Sequence, residues 1–229
     1  MKTKTTGSRD SLRLLATCAV LAWCGVARAN YAAESGMIEI ISPPPSVRPN
    51  KLQNDLMINT FAEHRDFTLA TAVTVDDTAA GTFTNEASLV GGTIAAGTEV
   101  DSYFIHSDTA SPPTTYEASV TFSTPILGVI VLSASLSATD DQLGATVTKY
   151  PGGDNGRGLE LGRAQDFFTL SADLKTLTLH FNTHDNVDEI RVLTAPTPVP
   201  EPAAAALLGL GGIAALGAAR RRPGTARGR

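Results

Sequence analysis

Thr176-Leu177-Thr178-Leu179-His180-Phe181-Asn182 alternates polar and apolar side chains without a break. Successive side chains of a strand point to opposite faces, so this stretch predicts a strand with Leu177, Leu179 and Phe181 inward and Thr178, His180 and Asn182 toward solvent. The same period recurs on both sides of it. Residues 67–75, 100–106, 118–123 and 188–193 all read as strands, and residues 126–132 form a continuous apolar run suited to burial on both faces. Turn clusters separate these runs at Ala80-Gly81, Gly91-Gly92, Ser111-Pro112-Pro113 and Pro151-Gly152-Gly153-Asp154-Asn155-Gly156. Only residues 133–144 suggest helix. Many short strands with Gly and Pro punctuation predict a mainly β domain over residues 30–194, a single antiparallel β-sandwich of jelly-roll-like form.

Charge divides the 229 residues into three pieces. Of 18 Lys+Arg and 23 Asp+Glu, residues 1–29 and 199–229 each hold five basic residues and one acid, which leaves the middle with eight basic and 21 acidic residues, a net charge of −13. Both cysteines, Cys18 and Cys24, and the lone Trp23 also lie in the first piece. The middle therefore has no disulfide, no thiolate metal site and no Cys nucleophile. Its acidity argues against nucleic acid as a partner, because phosphate backbones require a basic face.

The ends read as addresses. Lys2, Lys4, Arg9 and Arg13 precede an apolar run from Leu14 to Trp23, and Ala27 and Ala29 frame a small-x-small cleavage site. That order predicts a signal peptide over residues 1–29, handled by the secretion translocon and signal peptidase. Residues 195–202 place proline at every second position, a semi-rigid spacer. Residues 203–219 are uncharged and rich in Ala, Leu and Gly, which predicts a transmembrane helix at the lower limit of length. Arg220, Arg221 and Arg222 follow as a stop-transfer cluster, and residues 220–229 read as a basic cytoplasmic tail.

Val199-Pro200-Glu201-Pro202, the apolar stretch and the Arg triplet together resemble the PEP-CTERM sorting signal over about residues 198–222. The resemblance implies a Gram-negative bacterium that makes exopolysaccharide or biofilm matrix. It implies an exported protein held in the inner membrane by its tail, then recognised at Pro200, Glu201 and Pro202 and processed by a membrane-embedded exosortase. The destination is then the cell surface or extracellular matrix, with exopolysaccharide as a further candidate partner. The middle is similar to an exported β domain found fused to such tails, through residues 97–106, 123–130, 157–162 and 188–194. That domain has no assigned activity, so the resemblance implies location rather than chemistry.

The chemistry-bearing residues of the middle give no catalytic pattern. His180 and His184 have the spacing of a zinc helix, but on a strand they stand about 13 Å apart. Glu63-His64-Arg65-Asp66 reads as a charged turn before the Phe67 strand. His106-Ser107-Asp108 invites a hydrolase reading, yet no Gly-x-Ser-x-Gly elbow accompanies it. Gly152 to Gly162 lacks the helix that a phosphate cradle needs. Absence of Trp and only four Tyr disfavour a sugar-stacking lectin. Carboxylate-rich loops remain, and calcium takes six to eight oxygen ligands. Asp185, Asp188 and Glu189 are the candidate calcium ligands. The expected function is thus a non-enzymatic exported surface or matrix protein without a cofactor. The alternatives are a calcium-dependent polysaccharide- or matrix-binding module and a permanently anchored single-pass surface protein.

Overall fold

A computed structural model of the chain describes residues 31–111, 114–153, 156–162, 166–183 and 186–197. The signal peptide, the sorting tail, His184 and Asp185 lie outside the described residues.

Among the described residues, twelve strands and one α-helix follow in chain order: β1 (Tyr31–Gly36), β2 (Ile38–Ile40), β3 (Ile58–Thr68), β4 (Val73–Val75), β5 (Gly81–Phe83), β6 (Gly92–Ile94), β7 (Glu99–Ser107), β8 (Thr114–Phe122), β9 (Ile126–Ile130), α1 (Ser133–Leu143), β10 (Phe167–Leu170), β11 (Thr176–Thr183) and β12 (Asp188–Thr194). They form a five-stranded sheet in the order β1-β8-β11-β10-β5, a second in the order β2-β3-β7-β12-β9, and a two-stranded β4-β6 ribbon.

The first sheet is hydrophobic on one face. Leu177, Leu179 and Phe181 of β11 and Tyr116, Ala118, Val120 and Phe122 of β8 are buried, whereas Thr178 is exposed and His180 and Asn182 are half-buried. These inward residues share one core with Tyr103 and Ile105 of β7, Ile126 and Val129 of β9, and Ile190 and Val192 of β12. Tyr31, Tyr103 and Phe122 pack their rings 4.9–5.6 Å apart across it.

The second sheet has a further core on its other face. Phe61, Phe104, Ile130 and Leu193 pack there against β4, β6 and Leu136 and Leu143 of α1. Leu136, Thr139 and Leu143 recur at helical spacing and form the buried stripe of the helix. The Asp76 carboxylate accepts from the backbone N–H groups of Val131 and Leu132 at 2.7 and 2.9 Å and from Ser135 Oγ at 2.6 Å, so an acidic group sits where the helix begins. Gly128 lets β4 close in: a Cβ there would stand 2.6 Å from Val75 Cγ2.

The mainly β expectation and the helix after residue 132 agree with the structure. Three details differ. The β2–β3 pair is parallel, so the arrangement is not wholly antiparallel. Residues 67–75 are not one strand: β3 ends at Thr68 and β4 begins at Val73 in a different sheet. Residues 63–66 are not a turn, because β3 runs through them. A register shift between Ala62 and His64 makes Glu63 the extra residue of a bulge. Bulges re-aim side chains, and this one accompanies a carboxylate turned into the interior.

Candidate functional site

The second sheet carries charge inside it. Glu189 and Arg191 lie on the β12 face that meets α1, and both are wholly buried. Arg191 holds Glu63 through two parallel bonds, Nε to Oε2 at 2.7 Å and Nη2 to Oε1 at 2.8 Å. It also donates to Asp140 Oδ1 at 2.9 Å and to Thr139 Oγ1 at 2.7 Å on α1. Asp140 accepts in turn from Arg157 Nη1 at 2.6 Å. Arg157 Nε donates to Glu189 Oε2 at 2.6 Å, and the other Glu189 oxygen accepts from His106 Nδ1 at 3.1 Å. A carboxylate only accepts, so that bond places the proton on Nδ1. Tyr150 and Ser102 each donate to Glu63 at 2.6 Å. The Arg191 guanidinium stands 5.2 Å from the Phe104 ring centre and 5.4 Å from that of Tyr150.

Each charge of this network thus has an opposite charge against it. Burial works against the Arg191 cation, but the Glu63 carboxylate more than offsets it and holds its pKa above the usual arginine value. Burial, then the Glu63 charge, pushes the Tyr150 hydroxyl well above its ordinary range. Gly158 delivers Arg157 to this network. Its φ is +82°, and a Cβ there would stand 2.5 Å from the Val131 carbonyl oxygen. Asp140 alone of the five charged partners is appreciably open, with 14% of its side chain exposed. It lines a shallow cleft of about 470 Å³ with Gly144, Tyr150 and Pro151.

A second cluster lies at one end of the layer between the two large sheets. Glu160, Asp166 and Asp188 bring carboxylate oxygens within 4.8 Å of one another. Asp166 accepts from the backbone N–H of Asn182 at 2.7 Å and of Glu160 at 3.2 Å. Asp188 accepts from Thr183 Oγ1. Burial first, and the Asp166 charge next, hold the Asp188 carboxyl well above its ordinary value; burial also raises Asp166. Donors of this kind, hard oxygens at close spacing, suit calcium.

The sequence candidates separate on this frame. Asp188 belongs to the three-carboxylate cluster. Glu189 is its neighbour on β12, faces the other way, and is taken by Arg157 and His106. Glu160 and Asp166 join Asp188 from segments 28 and 22 residues earlier, which no loop motif could reveal. His106, Ser107 and Asp108 do not converge: His106 meets Glu189, Ser107 Oγ meets Thr183 Oγ1 at 2.8 Å, and Asp108 accepts from the Asn50 N–H at 2.6 Å. His180 stacks on Phe167 with ring centres 4.5 Å apart.

The chain leaves the domain from the opposite end. Ala195 N–H donates to the Pro125 carbonyl at 2.9 Å, Thr124 Oγ1 donates to the Ala195 carbonyl at 2.5 Å, and Arg65 Nη2 donates to Thr197 Oγ1 at 3.3 Å. Val199, Pro200, Glu201 and Pro202 come directly after this clamp. Residues 198–222 match the family profile described as the PEP-CTERM protein-sorting motif. The chain thus carries a sorting address at residues 198–222, and that address is the PEP-CTERM motif, which implies export, membrane-associated sorting and an exosortase as processing partner. No curated protein and no solved structure matches the chain. Among the described residues, no helix is long and apolar enough to cross a membrane.

Proposed function

We propose that the chain is a non-enzymatic surface or matrix protein, built as one β-sandwich with a helix-covered outer face. A signal peptide at residues 1–29 directs its export. The tail at residues 203–219 holds it in the inner membrane, and an exosortase-type enzyme then acts at Pro200-Glu201-Pro202. The sorting-motif match over residues 198–222 carries this reading. Support for a passive domain comes from the buried polar side chains: Glu63, Glu189, Arg157 and Arg191 are shielded from solvent and paired with one another and with Asp140. Substitution of Pro200, Glu201 and Pro202 by alanine in the native host tests the reading. The protein is expected to accumulate in the inner membrane and vanish from the surface fraction. Unchanged surface display of the triple variant would contradict it.

The cluster of Glu160, Asp166 and Asp188 favours a second reading, a calcium-dependent matrix or polysaccharide contact at that end of the domain. Calcium would relieve the mutual repulsion of carboxylates that burial already disfavours. Calorimetric titration with Ca²⁺ is expected to give heat with the natural protein and none with Asp188→Asn. No heat with either would remove this reading and leave the sorting proposal intact.

A further inference from the structure

Both ends of the described chain meet the same turn. Tyr31, at the start of β1, pairs with Phe122 at the end of β8. Three residues further on, Pro125 accepts from Ala195, and Thr124 donates to its carbonyl. The turn between β10 and β11 adjoins the same place, through Phe122 N–H on the Lys175 carbonyl at 2.8 Å and Ile126 N–H on the Leu174 carbonyl at 2.6 Å. The carboxylates of Glu160, Asp166 and Asp188 lie at the far end. Asp188 opens β12 opposite Ser107, and Thr183 pairs with Thr114 at the start of β8. Nine residues of β8 separate the two ends, about 30 Å at strand rise.

The tether is short. Thr197 is held by Arg65, and the uncharged apolar stretch begins at Ala203. The six residue steps from one to the other span at most about 22 Å even when fully extended. That reach is less than the length of β8, so the domain cannot turn end over end while its tail is inserted.

We infer that the end built from residues 123–125 and 171–175 is the membrane-facing end of the domain. It is held against the lipid headgroup layer, with the three-carboxylate end directed away from it. This orientation rests on the membrane-held stage of the proposed function and adds to it a fixed face. It leaves the carboxylate end free for contacts outside the membrane.

Single-cysteine probes test the orientation. In residues 30–229, the membrane-held form that holds no cysteine once the signal peptide is removed, Ala172→Cys places a fluorophore at the near end and Ser111→Cys at the far end. Both residues are exposed. The proteins are reconstituted into vesicles of neutral and anionic phospholipid carrying a short-range quencher on the headgroups. The Ala172→Cys probe is expected to be quenched several-fold more strongly than the Ser111→Cys probe. A 20-residue Gly/Ser insert after Thr197, with a root-mean-square reach of about 25 Å, is expected to abolish the difference. Equal or reversed quenching in vesicle-bound protein would overturn the orientation alone. A difference that survives the insert would show that something other than the short tether sets it, and would also overturn the inference. Failure of residues 30–229 to float with the vesicles would overturn the membrane-held stage as well.

Discussion

The two large sheets solve burial differently. The sheet centred on β8 and β11 hides one face and shows the other to solvent, in step with the alternation of its sequence. The sheet centred on β7 and β12 is covered on both faces. All seven residues of β12 are buried, including Asp188, Glu189 and Arg191. Alternation therefore carries a different meaning in each. Thr178 is polar because it meets water; Arg191 is polar because it meets Glu63, 128 residues away in sequence. A charged residue in a strand marks a solvent face only when no distant partner reaches it.

The largest expected effect breaks that pairing. Arg191→Ala leaves Glu63 buried without its cation and should cost about 3–5 kcal/mol, read as a lower midpoint in urea denaturation. The matching change on the first sheet, Thr178→Ala, should stay within about 0.5 kcal/mol, because it alters an exposed position. Similar midpoints for the two variants would end the contrast between the sheets. Gly158→Ala comes next. It forces a side chain into a left-handed conformation against the Val131 carbonyl, and a loss of about 1–3 kcal/mol is expected by the same measurement.

Asp188→Asn should act in the opposite direction. Its folded pKa lies well above the ordinary 3.8, so its contribution to stability is full below that value and is lost as pH rises through the folded value. In the absence of calcium the variant should melt higher than the natural protein at pH 7, and the gap should close on acidification toward pH 4. A variant that melts lower at pH 7 would show that the carboxylate is compensated where it stands.

What could be read in the sequence follows the range of the interactions. β7, β8 and β11 were legible because their apolar parity is local, and β9 because its apolar run is continuous. The helix was legible as the one stretch, residues 133–144, that suggests helix. The three-residue strands β5 and β6 were hidden, since Gly81 and Gly92 look like turn residues and too few neighbours follow to show a period. Glu63 was misread for a related reason. Four polar residues in a row, three of them charged, suggest a solvated turn, and only the bulge in β3 together with Arg191 explains a carboxylate inside. The three-carboxylate cluster draws Glu160, Asp166 and Asp188 from three segments, and only Asp188 stood out as a candidate. The sorting address, by contrast, is wholly linear: Pro200-Glu201-Pro202, an apolar run and an Arg triplet need no fold to be recognised.

The mature C-terminus tests the functional account most directly. The protein is isolated from envelope and surface fractions of its native host, and its terminal peptide is read by mass spectrometry. A surface-fraction chain ending near Pro200, Glu201 or Pro202, without residues 203–219, is the expected result. A chain still ending at Arg229 and confined to the membrane fraction would contradict processing and make the tail a permanent anchor.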